Sequence, residues 1–159
     1  MKIMSSNGHE ILIDKEDYDL IKNYTWSAVV SHRCTYATAH VKLGKMNYTK
    51  IKMHRLIIGK KCENLLVDHI NCNGLDNRKS NLRVVTSKQN AMNRRKRFNS
   101  ASKYKGVVRH KRDKLWTAVI TINGKQKAIG SFKKEKDASK AYILEAKKHF
   151  GEYAYKGIY

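Results

Sequence analysis

The sequence predicts an α+β protein with three parts: a small N-terminal sheet, a strand–loop–strand–helix unit, and a three-stranded antiparallel sheet packed on one helix. Three observations carry this expectation. Short β-branched or alternating runs recur through residues 1–90, and an Asn123-Gly124 pair separates two further alternating runs. A stretch from Lys134 to Phe150 then sets alanines near one side at helical spacing.

In chain order, Glu10 to Ile13 reads as a strand, and Asp14 is placed to cap a helix on which Tyr18, Ile21 and Tyr24 recur at helical spacing. Trp26 to Val30, Thr35 to Lys42 and Lys50 to Met53 read as short antiparallel strands with a turn at Gly44. In the last of these, Lys50, Lys52 and His54 share one face and Ile51 and Met53 the other. Leu65 to Ile70 is a strand ending at Asp68-His69; a Gly- and Asn-rich loop follows, and Leu82 to Val85 returns. Ser87 or Thr86 caps a helix whose Asn90, Asn93, Arg94 and Arg97 fall at i, i+3, i+4 and i+7, on one face. In the last part Trp116, Ala118, Ile120 and Ile122 form the core side of a strand, and Leu115, Thr117, Val119 and Thr121 the outer side. Gly151 is the C-terminal stop of the final helix.

A chain of 159 residues accommodates one ordinary domain or two small ones. Its 34 Lys and Arg against 13 Asp and Glu give a net charge of +21, which calls for a polyanionic partner. The charge is uneven: residues 1–90 hold 15 basic and 8 acidic side chains, residues 91–159 hold 19 and 5. The block Arg94-Arg95-Lys96-Arg97 runs into small polar residues, so a basic linker is expected at 95–102. The remaining parts are then 1–53, 54–94 and 103–159. Apolar runs fall far short of the ~18 residues of a membrane span, and Met1 to Glu10 lacks the apolar core of a signal peptide. Cys34, Cys62 and Cys72 include no C-x-x-C pair and are odd in number, which excludes a simple disulfide framework and a four-cysteine zinc site. The expectation is a soluble, intracellular protein with reduced thiols and no membrane partner.

Chemistry-bearing residues concentrate between His54 and Arg94. Asp68-His69 at a strand end, Asn81 twelve residues after the His, and Asn90 on the helix twenty-two after the Asp resemble the HNH nuclease motif, or ββα-metal finger. The version is that of phage and group I intron homing endonucleases, whose wording His54-Arg55-Leu56 and Gln89-Asn90 with Asn93-Arg94 also match. The third motif position, His in many members, is Asn90 here. Singly these residues are ordinary caps and turn residues; together, at this spacing, they are a motif. The resemblance implies that Asp68 and Asn90 bind one divalent cation, that His69 is the general base, and that Asn81 braces the loop. A neutral imidazole can take a proton from water near neutral pH, and an all-oxygen ligand set favours Mg²⁺ or Mn²⁺ over Zn²⁺. Arg55, Asn93, Arg94, Arg95 and Arg97 are expected to contact DNA; His54 suits a phosphate contact or a place behind the site and plain packing equally.

The last part resembles the plant APETALA2/ethylene-response-factor DNA-binding domain, which also occurs fused to HNH nucleases. The matching positions are Tyr104-Lys105-Gly106-Val107, Trp116, Ile120, Gly130 with Phe132, and Ala141-Tyr142. In that family the sheet enters the major groove, which admits strands as well as helices. By position Lys105, Val108, His110, Arg112, Val119, Thr121, Gln126 and Ala128 face DNA, on a sheet face left open by the helix. The combined expectation is a monomeric, site-directed, metal-dependent endonuclease of homing type acting on double-stranded DNA. Its rivals are a non-catalytic DNA-binding regulator that keeps the HNH unit as scaffold, and an RNA-binding protein or ribonuclease. The intact Asp68, His69 and Asn90 count against the first, and the lack of an aromatic single-strand platform against the second.

Overall fold

Ile11, Ile13, Ile21 and Met53 lose essentially all contact with solvent, and around them the first half of the chain folds. The computed structural model describes residues 1–31, 34–45, 47–96, 101–110 and 112–157. By packing, the chain divides into two units, Met1–Ser87 and Lys88–Tyr159.

In the first unit β1 (Lys2–Met4) pairs antiparallel with β2 (Glu10–Leu12). The sequence reading lacked β1, a three-residue strand with one half-buried side chain. A 3-10 turn at Lys15–Asp17 leads to α1 (Tyr18–Ile21), a single turn rather than the helix expected through Tyr24. At its end the Ile21 carbonyl accepts the Tyr24 N–H in a tight i→i+3 bond at 3.2 Å and the Trp26 indole Nε1–H at 3.0 Å, which closes the turn. Asp14 makes no side-chain cap either; its Oδ2 accepts the Lys79 backbone N–H at 2.7 Å.

Strands β3 (Ser27–Ser31), β4 (Cys34–Lys42) and β5 (Tyr48–Lys52) form an antiparallel sheet in that order. The chain then turns into α2 (Met53–Ile58), which corrects the expected strand through Met53 and removes His54 from the cationic face of Lys50 and Lys52. Met53 and Ile57, one helical turn apart, are both buried, and that apolar pair outweighs the alternation of Ile51 and Met53. Gly59, at φ 63°, ends the helix. Last come β6 (Leu66–His69) and β7 (Leu82–Val85), paired so that Asp68 faces Arg83 and His69 faces Leu82.

The second unit begins one residue into α3 (Ser87–Asn93), which stops short of the expected run to Arg97. Beyond Asn93 follow Arg94-Arg95-Lys96 with no apolar residue to bury, and like charges in one turn oppose a helix. Arg97 lies outside the described residues. Nearly all of α3 goes with the second unit because the helix and its extension are tied forward, Lys105 Nζ donating to Met92 O at 2.6 Å and Lys96 Nζ to Ser102 O at 2.8 Å. Strands β8 (Val107–Arg109), β9 (Trp116–Ile122) and β10 (Lys125–Phe132) form a three-stranded antiparallel sheet with β9 central. Asn123 (φ 49°) and Gly124 (φ 78°) make the tight turn between β9 and β10, the left-handed pair that a two-residue hairpin requires. Helix α4 (Glu135–Phe150) lays Ala138, Tyr142 and Ala146 against Ala118 and Ile120. Gly106, at φ 69°, leaves no room for a Cβ beside the Tyr142 ring.

Candidate functional site

Loop 70–81 joins β6 to β7 and is held almost wholly by its own amides. Asn81 is the brace: its backbone O accepts Ile70 N–H at 2.9 Å, its Oδ1 accepts Asn71 N–H at 3.0 Å, and its Nδ2 donates to Asp76 O at 2.8 Å. Asp76, 1% exposed, receives Arg78 through Nε and Nη2, both at 2.7 Å, and Asn71 Nδ2 at 2.9 Å. The Arg78 hydrogen bonds hold the Asp76 carboxyl below the usual carboxylate range. The loop also locks onto β2, where Leu12 N–H donates to Leu75 O and Asn77 N–H to Leu12 O. Gly74 is required here, because a Cβ would come within 2.7 Å of the Tyr36 ring.

These ties fix the end of β6. His69 is 5% exposed, and its Nε2 lies 3.3 Å from Oδ1 of Asn77, a fully buried residue that the sequence reading passed over. With Oδ1 accepting, Nε2 carries the proton and Nδ1 the lone pair. Burial lowers the His69 pKa, partly offset by the Asn77 hydrogen bond and the charges of Asp68 and Asp76. The imidazole is therefore neutral at physiological pH.

Two further rings enclose it. His54 meets His69 edge-on with centroids 4.9 Å apart, and Tyr36 lies 5.6 Å from His54 and 5.8 Å from His69. His54 is 4% exposed and its Nδ1 finds no hydrogen-bond partner among the described residues. Burial above all, then the charges of His69, Lys52 and Arg55, pushes its pKa down to about 3. His54 is thus a buried neutral wall of the site rather than a phosphate contact. Arg55 is committed to the fold, donating to Leu65 O and Cys62 O, each at 3.2 Å.

Asp68 sits beside His69 and accepts Arg83 Nε at 3.0 Å and Nη2 at 2.8 Å, both on Oδ2. The side chains are only 10% and 11% exposed, so each charge offsets the other's desolvation. Arg83 was also missing from the sequence expectation, although the register that pairs β6 with β7 sets it opposite Asp68. Among the described residues no group of three or more His, Cys, Asp and Glu side chains could hold a metal ion.

In the second unit Asn90 is half-buried on α3, while Asn93 is buried, at 2% exposure. Arg94 and Arg95 are exposed. Val108, His110, Arg112, Thr121, Gln126 and Ala128 are exposed on β8–β10 or the β8–β9 connection, and Val119 is half-buried. Arg112 pairs with Asp113 at 2.9 Å. Lys105 differs from expectation: besides its bond to Met92 O, its ammonium lies 5.5 Å from the Tyr155 ring centroid. The outer sheet face is also less open than expected. A cleft of about 720 Å³ runs along it, lined by Val108, Val119, Thr121 and Gln126 from the sheet and by Met92, Arg94 and Arg95 from α3 and its extension.

Comparison with known proteins bears on both units. Residues 52–92 match the family model for HNH endonuclease. An uncharacterized HNH endonuclease of Acanthamoeba polyphaga mimivirus is 31% identical over 147 residues, a match that covers 92% of this chain and 74% of the viral protein. No solved structure matches.

Proposed function

The chain belongs to the HNH endonuclease family, and on that footing we propose that it is a site-directed, homing-type DNA endonuclease in which His69 activates water against a phosphodiester. The observation that carries the reading is the His69 imidazole, buried, neutral, and aligned by Asn77 at Nε2. Nδ1 takes a proton from water; the water oxygen bonds to phosphorus as the P–O3′ bond breaks, and the 3′ oxygen takes up a proton from solvent. Asn81 keeps the strand end in place during this exchange, and Asn77 keeps the lone pair on Nδ1.

A single Mg²⁺ or Mn²⁺ ion would be held by Asp68 and Asn90. The donor chemistry suits such an ion, since both groups offer hard oxygens, with Arg83 engaging only Oδ2 of Asp68 in the bonds described above. When bound, such a cation would supply positive charge that offsets the negative charge developing on the phosphodiester. The second unit is the docking part, an APETALA2-like sheet with Val108, His110, Arg112, Thr121 and Gln126 toward duplex DNA. The cations of 94–97 contact its phosphates, which supply most of the affinity. The protein acts as a monomer.

Incubation with supercoiled plasmid, with and without Mg²⁺, tests the reading through nicked and linear products. The His69→Ala variant should bind duplex and barely nick it. Cleavage by His69→Ala at the parent rate refutes the base assignment; binding by the parent without any cleavage favours a regulator that keeps the HNH unit as scaffold.

A further inference from the structure

Beside the imidazole pair stands a cation to which neither the family motif nor the sequence reading gives a role in cleavage. Lys52 ends β5, is exposed, and places its ammonium 5.0 Å from the centroid of the Tyr36 ring, whose own centroid is 5.8 Å from that of His69. Strand pairing explains the aim: Lys52 sits opposite Thr38 on β4, and Tyr36 is the next residue on the same face. A cation over an aromatic face is held there rather than swinging into water.

The neighbouring cations are already engaged. Arg83 bonds Asp68, Arg78 bonds Asp76, Lys79 bonds Asp17, and Arg55 donates to two carbonyls. Lys52, by contrast, pairs with no carboxylate among the described residues. Its charge nevertheless reaches the site, lowering the proton affinity of both His54 and His69.

We propose that Lys52 is a further catalytic residue, its ammonium gripping a non-bridging oxygen of the phosphodiester that His69-activated water attacks. This rests on the nuclease reading above. Attack adds negative charge to the phosphoryl oxygens, and an ammonium fixed by Tyr36 meets that charge without rearranging. An exposed cation with no carboxylate partner among the described residues accepts a phosphate at little desolvation cost, which the buried Arg83 could not do without abandoning Asp68. The role is thus distinct from that of the cations 94–97, which hold the backbone wherever the protein lies on it.

The test uses full-length protein, supercoiled plasmid with Mg²⁺ under single-turnover conditions, and duplex binding in chelator. Lys52→Gln should nick roughly 10- to 100-fold more slowly, while its duplex Kd shifts by no more than about threefold. Lys52→Arg should recover most of the rate, and Lys50→Gln, an exposed lysine two residues earlier on the same strand, should leave it within about twofold. Tyr36→Leu and Lys52→Gln should be non-additive in a double-mutant cycle, because the ring acts through the ammonium. Lys52→Gln cleaving as fast as Lys50→Gln overturns the proposal, and so does a loss confined to Kd. In both cases the parent still cleaves, so the nuclease reading stands. A parent inactive with Mg²⁺ and Mn²⁺ overturns both.

Discussion

Lowering the pH should unfold the first unit through His54, and the loss can be worked from its burial. An unfolded histidine protonates near 6.5, whereas His54 in the fold resists protonation down to about 3. Between those values the unfolded chain binds a proton that the folded one refuses, so stability falls as pH falls. Each pH unit in that window costs about 1.4 kcal/mol, which puts the loss from His54 alone at about 2 kcal/mol by pH 5. For a unit of this size that is roughly 8–16 °C in Tm. His69, also lowered by burial, adds in the same direction. The control is His54→Phe, which keeps a ring against His69 and discards both the titrating group and an Nδ1 that has no hydrogen-bond partner among the described residues. Denaturant unfolding of the two proteins from pH 8 to pH 4.5 should give curves that run parallel above about pH 7.5 and diverge below pH 6.5 in favour of the variant. Carboxylate titrations are common to both and cancel in the difference. Parallel curves down to pH 4.5 would refute the argument, since they would mean that His54 protonates in the fold as readily as in water.

Four further outcomes are expected. Arg83→Met should destabilise the first unit by about 3 kcal/mol in urea unfolding, because it strands the Asp68 carboxylate in a buried site; a loss under ~1 kcal/mol would show the carboxylate to be solvated. Chelator should abolish plasmid nicking and Asp68→Ala should mimic it, while Asn90→His should retain activity and admit softer metals, as metal-substitution assays would show. Arg94→Gln and Arg95→Gln should each flatten log K against log salt by about 0.9 without changing site choice, as read from duplex titrations at several salt concentrations. Gly106→Ala should lower the melting temperature of the second unit, because its Cβ meets the Tyr142 ring and its φ is positive; an unchanged Tm would show that the ring yields freely.

What could be read from the sequence was what neighbours in the chain decide. Asp68, His69 and Asn81 stand out because their spacing is local, and the Asn123-Gly124 hairpin because its turn chemistry is. Asn77 did not, since in Asn71-Cys72-Asn73-Gly74-Leu75-Asp76-Asn77 several amides suit a turn equally well. Its burial comes from Leu12, far back in the chain. Segment 51–57 satisfies both a period of two and a period of 3.6, and only packing chooses between them. Lys52 belonged to a cationic strand face that suits a backbone phosphate and a solvated edge equally well, because its aim depends on Tyr36, a cross-strand neighbour invisible to periodicity.

The anchoring of the 70–81 loop on β2, and of Lys79 on Asp14 and Asp17, sets the order in which this chain can become chemically competent. Those contacts join residues 62 to 65 positions apart, so loop closure over most of the unit must precede any settled orientation of His69. A ribosome that has released only residues 1–70 has delivered the imidazole without the Asn77 that orients it. Grafting residues 54–94 onto another scaffold would carry the motif and leave behind the strands that hold its loop still. For this chain the N-terminal 53 residues are the mould in which the loop beside His69 is cast, and moving the motif to a new protein with its geometry intact requires moving both together.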